Sequence, residues 1–303
     1  MKSGGFESLA ALKHHQLSVL DGQMSVYEAG DAAKPKVVML HGAMYDEARF
    51  IWDQMFPYLC QHYHVFAVDT PRHGKSRPWA GNLHHTRLMD ILNATFNQLN
   101  LESFSMIGLS MGGGLCIEYA SLHPAQVKSM CLFEPGGLGE KLDRQFTTWC
   151  YIKTPGMLRY LSKKYKKSGP VAIEKLLESL YTGGTKPIDA PRLISILTDE
   201  INGKFEHGEN DLDDWQLNII GPFKQKWTLY DRIGLIRCPT LWLRGEESTL
   251  VKQHEMERAV DLARSSGARA DLVVIKNGGH LLPLEQPEKA NAMVRQFLDE
   301  TTG

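Results

Sequence analysis

The five cysteines, Cys60, Cys116, Cys131, Cys150 and Cys238, are odd in number, scattered, and form no CxxC pair. Their pattern excludes a disulfide framework or a thiolate zinc site as the organising feature, and fits free buried thiols in a reducing, cytoplasmic setting. No apolar run approaches the ~18 residues that a membrane helix needs. The opening stretch MKSGGFESLAALKHHQ lacks an apolar h-region, so no signal peptide is expected. Neither sign of charge dominates: 34 Lys plus Arg face 35 Asp plus Glu, a formal net charge of -1. Nucleic acid and membrane are therefore not expected as partners. H-E-x-x-H spacing is missing among the twelve histidines, so no metal is expected. No G-x-G-x-x-G or GK[ST] register fits the glycine-rich turn around Ser110, and no cofactor is expected.

What remains is an ordinary globular composition, 43% hydrophobic and 23% charged. The 303 residues allow two domains or one large α/β domain carrying an insertion. Short apolar runs at 16–20 and 24–27 flank Asp21-Gly22, a hairpin signal. Mainly apolar runs follow at 36–40, 65–68, 104–109, 127–133, 240–243 and 272–275. Runs without polar alternation suit strands buried on both faces of a parallel sheet. Helical spacing lies between them, at Leu88, Ile91, Leu92, Phe96 and Leu99, and again at Ala290, Met293, Val294 and Phe297. Alternating strands and helices predict an α/β fold, a mostly parallel sheet flanked by helices.

That alternation stops between about Glu140 and Asp231. The stretch is rich in aromatics and Met, among them Phe146, Trp149, Tyr151, Met157, Tyr160, Tyr165, Tyr181, Phe205, Trp215, Phe223 and Trp227. Breaks at Thr154-Pro155-Gly156 and Gly183-Gly184 divide it. It reads as a helical lid (140–231) inserted into one catalytic domain (1–139 and 232–303). Some of its aromatics should line a cleft, because ligands of open α/β sheets bind beyond the strands' carboxyl ends.

The sharpest motif is Gly108-Leu109-Ser110-Met111-Gly112, a G-x-S-x-G between a strand and a helix pattern. Such a turn strains the serine backbone, projects Oγ from the sheet edge and sets it at a helix N-terminus. A hydroxyl needs a base to act as a nucleophile. His280, in Asn277-Gly278-Gly279-His280 just past the last strand, returns to the same edge. The oxyanion then calls for two amide donors: Met111, which follows the nucleophile, and Ala43 of His41-Gly42-Ala43. The imidazole of His41 is expected to pin that loop.

These motifs resemble the α/β-hydrolase superfamily over most of the chain. Leu40-His41-Gly42-Ala43 is similar to its oxyanion loop, and 279–297 to its C-terminal signature with the catalytic histidine. Residues 69–76 (DTPRHGKS) resemble its D-x-P-G-H-G-x-S turn, with Arg72 replacing the first glycine. The family's acid follows the penultimate strand in a G-E-x-D pattern, but here Ser248 occupies the aspartate position. Three carboxylates can replace it. Glu134, fixed at a strand end, ranks first, because a rigid carboxylate orients an imidazole better than one on a loop. Glu247 and then Glu246 follow.

The resemblance implies a cofactor-independent serine hydrolase, working through an acyl-enzyme on a small or medium apolar carboxylic ester. Serine at the elbow argues against the dehalogenase and epoxide-hydrolase branches, which use a carboxylate nucleophile. The same triad also serves carbon–carbon bond hydrolases, which Glu134-Pro135-Gly136-Gly137-Leu138-Gly139 resembles, and aminopeptidases. The same fold hosts non-enzymatic small-molecule receptors and stress-signalling proteins, and fold alone does not separate these. A small-molecule substrate is the expected partner, and the oligomeric state is left open.

Overall fold

The computed structural model describes residues 12–176 and 190–301, together with Phe6 and Leu9. Tyr181 and the Gly183-Gly184 break lie outside the described residues. The apolar runs become β1 (Lys13–Val19), β2 (Gly22–Ala29), β3 (Lys36–Leu40), β4 (His64–Asp69), β5 (Phe104–Leu109), β6 (Val127–Phe133), β7 (Thr240–Gly245) and β8 (Ala270–Ile275). They form one sheet in the order β1-β2-β4-β3-β5-β6-β7-β8. β2 pairs antiparallel with β1 and β4, and every later pair is parallel.

Alternate residues of the inner strands serve two separate cores, so these strands carry no polar alternation. Val38, Leu40, Met106, Leu132 and Trp242 face one core, with the helix after β4 and the helix after β5. Val37, Met39, Ile107, Leu109, Cys131, Phe133 and Leu243 face the other, with the C-terminal helix. α1 (Ala48–Ile51) and α2 (Met55–Leu59) follow β3, α3 (His85–Gln98) follows β4, and α4 (Met111–Leu122) follows β5. α5 (Gln145–Lys153), α6 (Met157–Leu176), α7 (Ala190–Glu206), α8 (Asp214–Ile219) and α9 (Tyr230–Ile233) lie between β6 and β7. α10 (Gln253–Ser265), α11 (Leu282–Glu285) and α12 (Pro287–Thr301) complete the described chain.

The hairpin differs from its expected turn. Val19 pairs with Gly22, so the two loop residues are Leu20 and Asp21. Leu20 takes the positive φ, 51°. Gly22 lies in the strand, where a Cβ would come within 2.4 Å of the Trp79 indole. A packing contact therefore explains this glycine.

All five cysteines are free: Cys116, Cys131 and Cys238 are buried as expected, whereas Cys60 and Cys150 are half-buried. Among the described residues, no helix is long and apolar enough to cross a membrane.

Candidate active site

The parallel strands end along one edge, and that edge assembles the site. Ser110 joins β5 to α4 at φ 50°, ψ −117°, a strained conformation for a side-chain-bearing residue. Its N–H donates to the Phe133 carbonyl over 2.9 Å, and its own carbonyl accepts from Gly136 over 2.7 Å. Gly112 has to be glycine because a Cβ would lie 2.1 Å from the Leu40 carbonyl oxygen. The strand–turn–helix therefore packs against the end of β3, and the neighbouring strand end holds the strained serine in place.

Glu134 ends β6 and is fully buried. Its Oε2 lies 2.8 Å from His280 Nδ1. The same oxygen accepts the Ser248 hydroxyl over 2.5 Å, and Oε1 accepts the Gly245 N–H over 2.9 Å. Three donors thus converge on one carboxylate and fix its plane. Because the carboxylate accepts, Nδ1 carries the imidazole proton and Nε2 of the neutral ring is left as an acceptor. Glu246 and Glu247 are exposed. Glu246 instead accepts the Asn277 amide over 3.3 Å. The serine at the family's aspartate position thus supports the carboxylate that contacts His280, a role sequence reading did not assign to Ser248.

The loop after β3 is held from several sides. Gly42 donates its N–H to Asp46 over 2.5 Å, and Met44 donates to Asp213 over 2.7 Å. Between them, the Ala43 N–H has no protein acceptor among the described residues. Met111 opens α4, where an N–H has no intrahelical partner. His41 pins the loop: Nε2 accepts the Thr70 N–H over 2.9 Å, so Nδ1 donates to the Gly42 carbonyl over 2.7 Å. Full burial pushes the His41 pKa well below the usual histidine value, which keeps the ring neutral.

Ser110, His280 and Ala43 line a cavity of about 360 Å³ that also reaches Met111, Trp215 and Lys252. They also line an adjoining cavity of about 220 Å³ walled by Met44, Phe50 and Leu197. Of the aromatics expected to line a cleft, Trp215 does so, whereas Phe146, Tyr151, Tyr160 and Phe223 are exposed. The remaining apolar wall comes from Leu197 of α7 and Ile219 of α8 together with core residues such as Phe50 of α1, Leu109 of β5 and Met111 of α4.

A buried ionic cluster, missed from sequence, ties α7 and α8 to the loops beneath. The apolar stripe of α7, Leu193, Ile196, Leu197 and Ile201, continues into buried Glu200 and Lys204. Glu200 pairs with Arg77 at 2.6 Å, while Lys204 and His73 reach Asp213 at 3.0 and 3.1 Å. Charges on an apolar stripe are the sequence signal that could have found them, since a charge is buried only when paired. Arg72 adopts φ 65°, the conformation that favours the family's glycine. Its guanidinium pairs with Asp214 at 2.7 Å.

Glu285 also escaped sequence reading. Its carboxylate accepts the Gly279 and Leu281 N–H groups on either side of His280, over 2.5 and 2.8 Å. Burial pushes its pKa up to about 7, against the pull of those amides. A carboxyl raised in the folded state binds its proton more tightly than in the unfolded chain, so its contribution to stability falls as pH rises from about 4.5 to 7. The stability of the wild type relative to Glu285→Gln is therefore expected to decline between pH values below and above that window. Urea unfolding at both ends checks this, and a constant difference would contradict it.

A profile of the alpha/beta hydrolase fold matches residues 35–287. The chain belongs to this family and is a hydrolase. Human monoacylglycerol lipase ABHD6 is 24% identical over 278 residues, covering 88% of this chain and 75% of that one. The uncharacterized carboxylesterase nap of Bacillus subtilis (strain 168) is 24% identical over 305 residues, 96% of this chain and 88% of that one. Among solved structures, a membrane phospholipase A described as a bacterial virulence factor superimposes with a TM-score of 0.75 at 20% identity, covering 97% of this chain and 88% of that one.

Proposed function

We propose that the protein is a serine hydrolase of carboxylic esters, with Ser110 as nucleophile, His280 as general base and acid, and Glu134 as the acid of the triad. The observation that carries this reading is the contact of His280 Nδ1 with a buried carboxylate beside the cavity that holds Ser110. It leaves Nε2 to take the Ser110 proton as Oγ attacks the acyl carbon. The Ala43 and Met111 amides stabilise the resulting oxyanion. The C–O bond breaks, His280 protonates the departing alcohol, and an acyl-enzyme remains. Water, deprotonated by His280, then attacks the acyl carbon; the bond to Oγ breaks, His280 returns the proton to Oγ, and the carboxylic acid leaves. The named lipase and carboxylesterase relatives support ester chemistry. Helices α5 to α8 act as a lid over the site, held down by the Asp213 and Asp214 contacts. Rapid quenching of a p-nitrophenyl ester reaction, followed by intact mass measurement, tests the scheme. An acyl adduct on Ser110 is expected, and turnover without any covalent species would contradict it.

In this scheme Asp213 positions the oxyanion loop from the lid through the Met44 amide. Asp213→Ala is expected to lower kcat by about 10- to 100-fold, less than the 10²–10³ of outright donor loss, with a smaller change in KM. Asp213→Asn keeps an acceptor for Met44 and is expected to recover most of that loss. Steady-state kinetics and thermal unfolding of both variants check this. Equal kcat losses in the two would assign Asp213 a structural role alone.

A further inference from the structure

The space around Ser110 has two parts of different chemistry, and the difference describes the two halves of the substrate, granted the ester reading above. Both parts share Ala43, Ser110, Gln216, Leu250 and His280. A carbonyl held at Ser110 therefore sends one half of the ester each way. The inner part is walled by Tyr45, Phe50, Leu109, Leu197 and Leu281, all buried. Asp46 also lines it, with its carboxylate turned to the Gly42 N–H and its pKa raised by burial above the ordinary aspartate value. The larger outer part begins at Trp215 and Ile219 but opens between exposed Lys141, Asp143, Thr249 and Lys252. Lys252 Nζ meets Asp143 Oδ1 at 2.6 Å across that mouth.

Reaction order decides which half goes where. The acyl group stays bonded to Ser110 between the two half-reactions, whereas the alcohol has to leave and water take its place. The open, polar mouth suits the exchange, and the apolar wall suits the group that stays. Opposite charges at the mouth offer both donors and acceptors to hydroxyls without demanding a net charge. We propose that the protein hydrolyses esters joining an uncharged, medium-length apolar acyl group to a small hydroxylated alcohol. Phe50 and Leu197 set the acyl length in the inner part, and Asp143 and Lys252 receive the alcohol in the outer part.

The test uses the purified full chain and two ester series. One runs from acetyl to dodecanoyl on a fixed alcohol, and the other pairs a fixed acyl group with glycerol, ethanol or hexanol. Leu197→Trp is expected to shift the acyl optimum shorter, with kcat/KM falling about tenfold or more per excluded methylene. Phe50→Ala should shift it longer, which keeps the test informative if the first variant folds poorly. Neither should reorder the alcohols. The double variant Asp143→Leu, Lys252→Leu should lower the glycerol-over-hexanol preference about tenfold and leave the acyl optimum in place. If the inner variants reorder the alcohols instead, or the acyl profile is flat in enzyme that labels at Ser110 with a fluorophosphonate, the assignment is overturned while the serine-hydrolase reading stands. Failure of Ser110 to label would remove both.

Discussion

Ser110→Ala is expected to lower ester turnover by about 10⁶-fold in kcat, down to what the oxyanion amides and binding supply alone. The size of the effect follows from the scheme: Oγ forms the covalent bond, so its loss removes both half-reactions at once. The fold should survive, because the strained turn is held by the Phe133 carbonyl and the Gly136 amide, contacts made by the Ser110 backbone. Steady-state kinetics on a p-nitrophenyl ester, with thermal unfolding of the same sample, check the two halves of this expectation. A folded variant that keeps wild-type turnover would show that another group is the nucleophile.

Glu134→Gln is the second large effect, a fall in kcat of about 10²- to 10⁴-fold. The carboxylate accepts from His280, Ser248 and Gly245 at the same time. An amide presents one oxygen in place of two and turns an NH₂ toward donors. With that NH₂ facing His280, Nδ1 becomes the acceptor and Nε2 carries the proton, so the ring cannot take the Ser110 proton. Glu247→Gln and Glu246→Gln should each stay within about twofold of wild type, as surface substitutions away from the imidazole do. Full activity in Glu134→Gln together with loss in Glu247→Gln would transfer the role to the loop.

The parallel strands were readable because their physical cause is local. β3, β5 and β6 fall on residues 36–40, 104–109 and 127–133, each a mainly apolar stretch without strict polar alternation. The elbow was readable because its residues stand together in one short motif, although the contact that demands Gly112 comes from the Leu40 carbonyl on β3. Other features that depend on distant partners were not. Gly22 is explained by Trp79, and Arg72 by an aspartate at position 214. Glu285 lies in a stretch that reads as family signature, and its hydrogen bonds to the amides around His280 form only in the folded loop.

The aromatics between β6 and β7 were the weakest expectation. Aromatic content predicts burial somewhere, but not against which surface. Trp215 sits where a Cβ on Gly136 would meet it at 3.1 Å, so a core glycine admits it to the cavity. Phe146 and Phe223 stack on each other at 5.8 Å instead, on the outside. Arg72 illustrates the cost of reading a motif by its letters. A side chain at positive φ costs roughly 1–3 kcal/mol. The pairing with Asp214 and bonds to the Trp79 and Gly81 carbonyls offset that strain.

The most direct measurement is labelling of the intact protein with a fluorophosphonate, read by mass and mapped by peptide analysis, alongside residual ester turnover. The expected result is one adduct per chain, on Ser110, with turnover lost in proportion to labelling. An adduct on another residue, or ester turnover that survives complete labelling of Ser110, would contradict the assignment of Ser110 as the activated nucleophile.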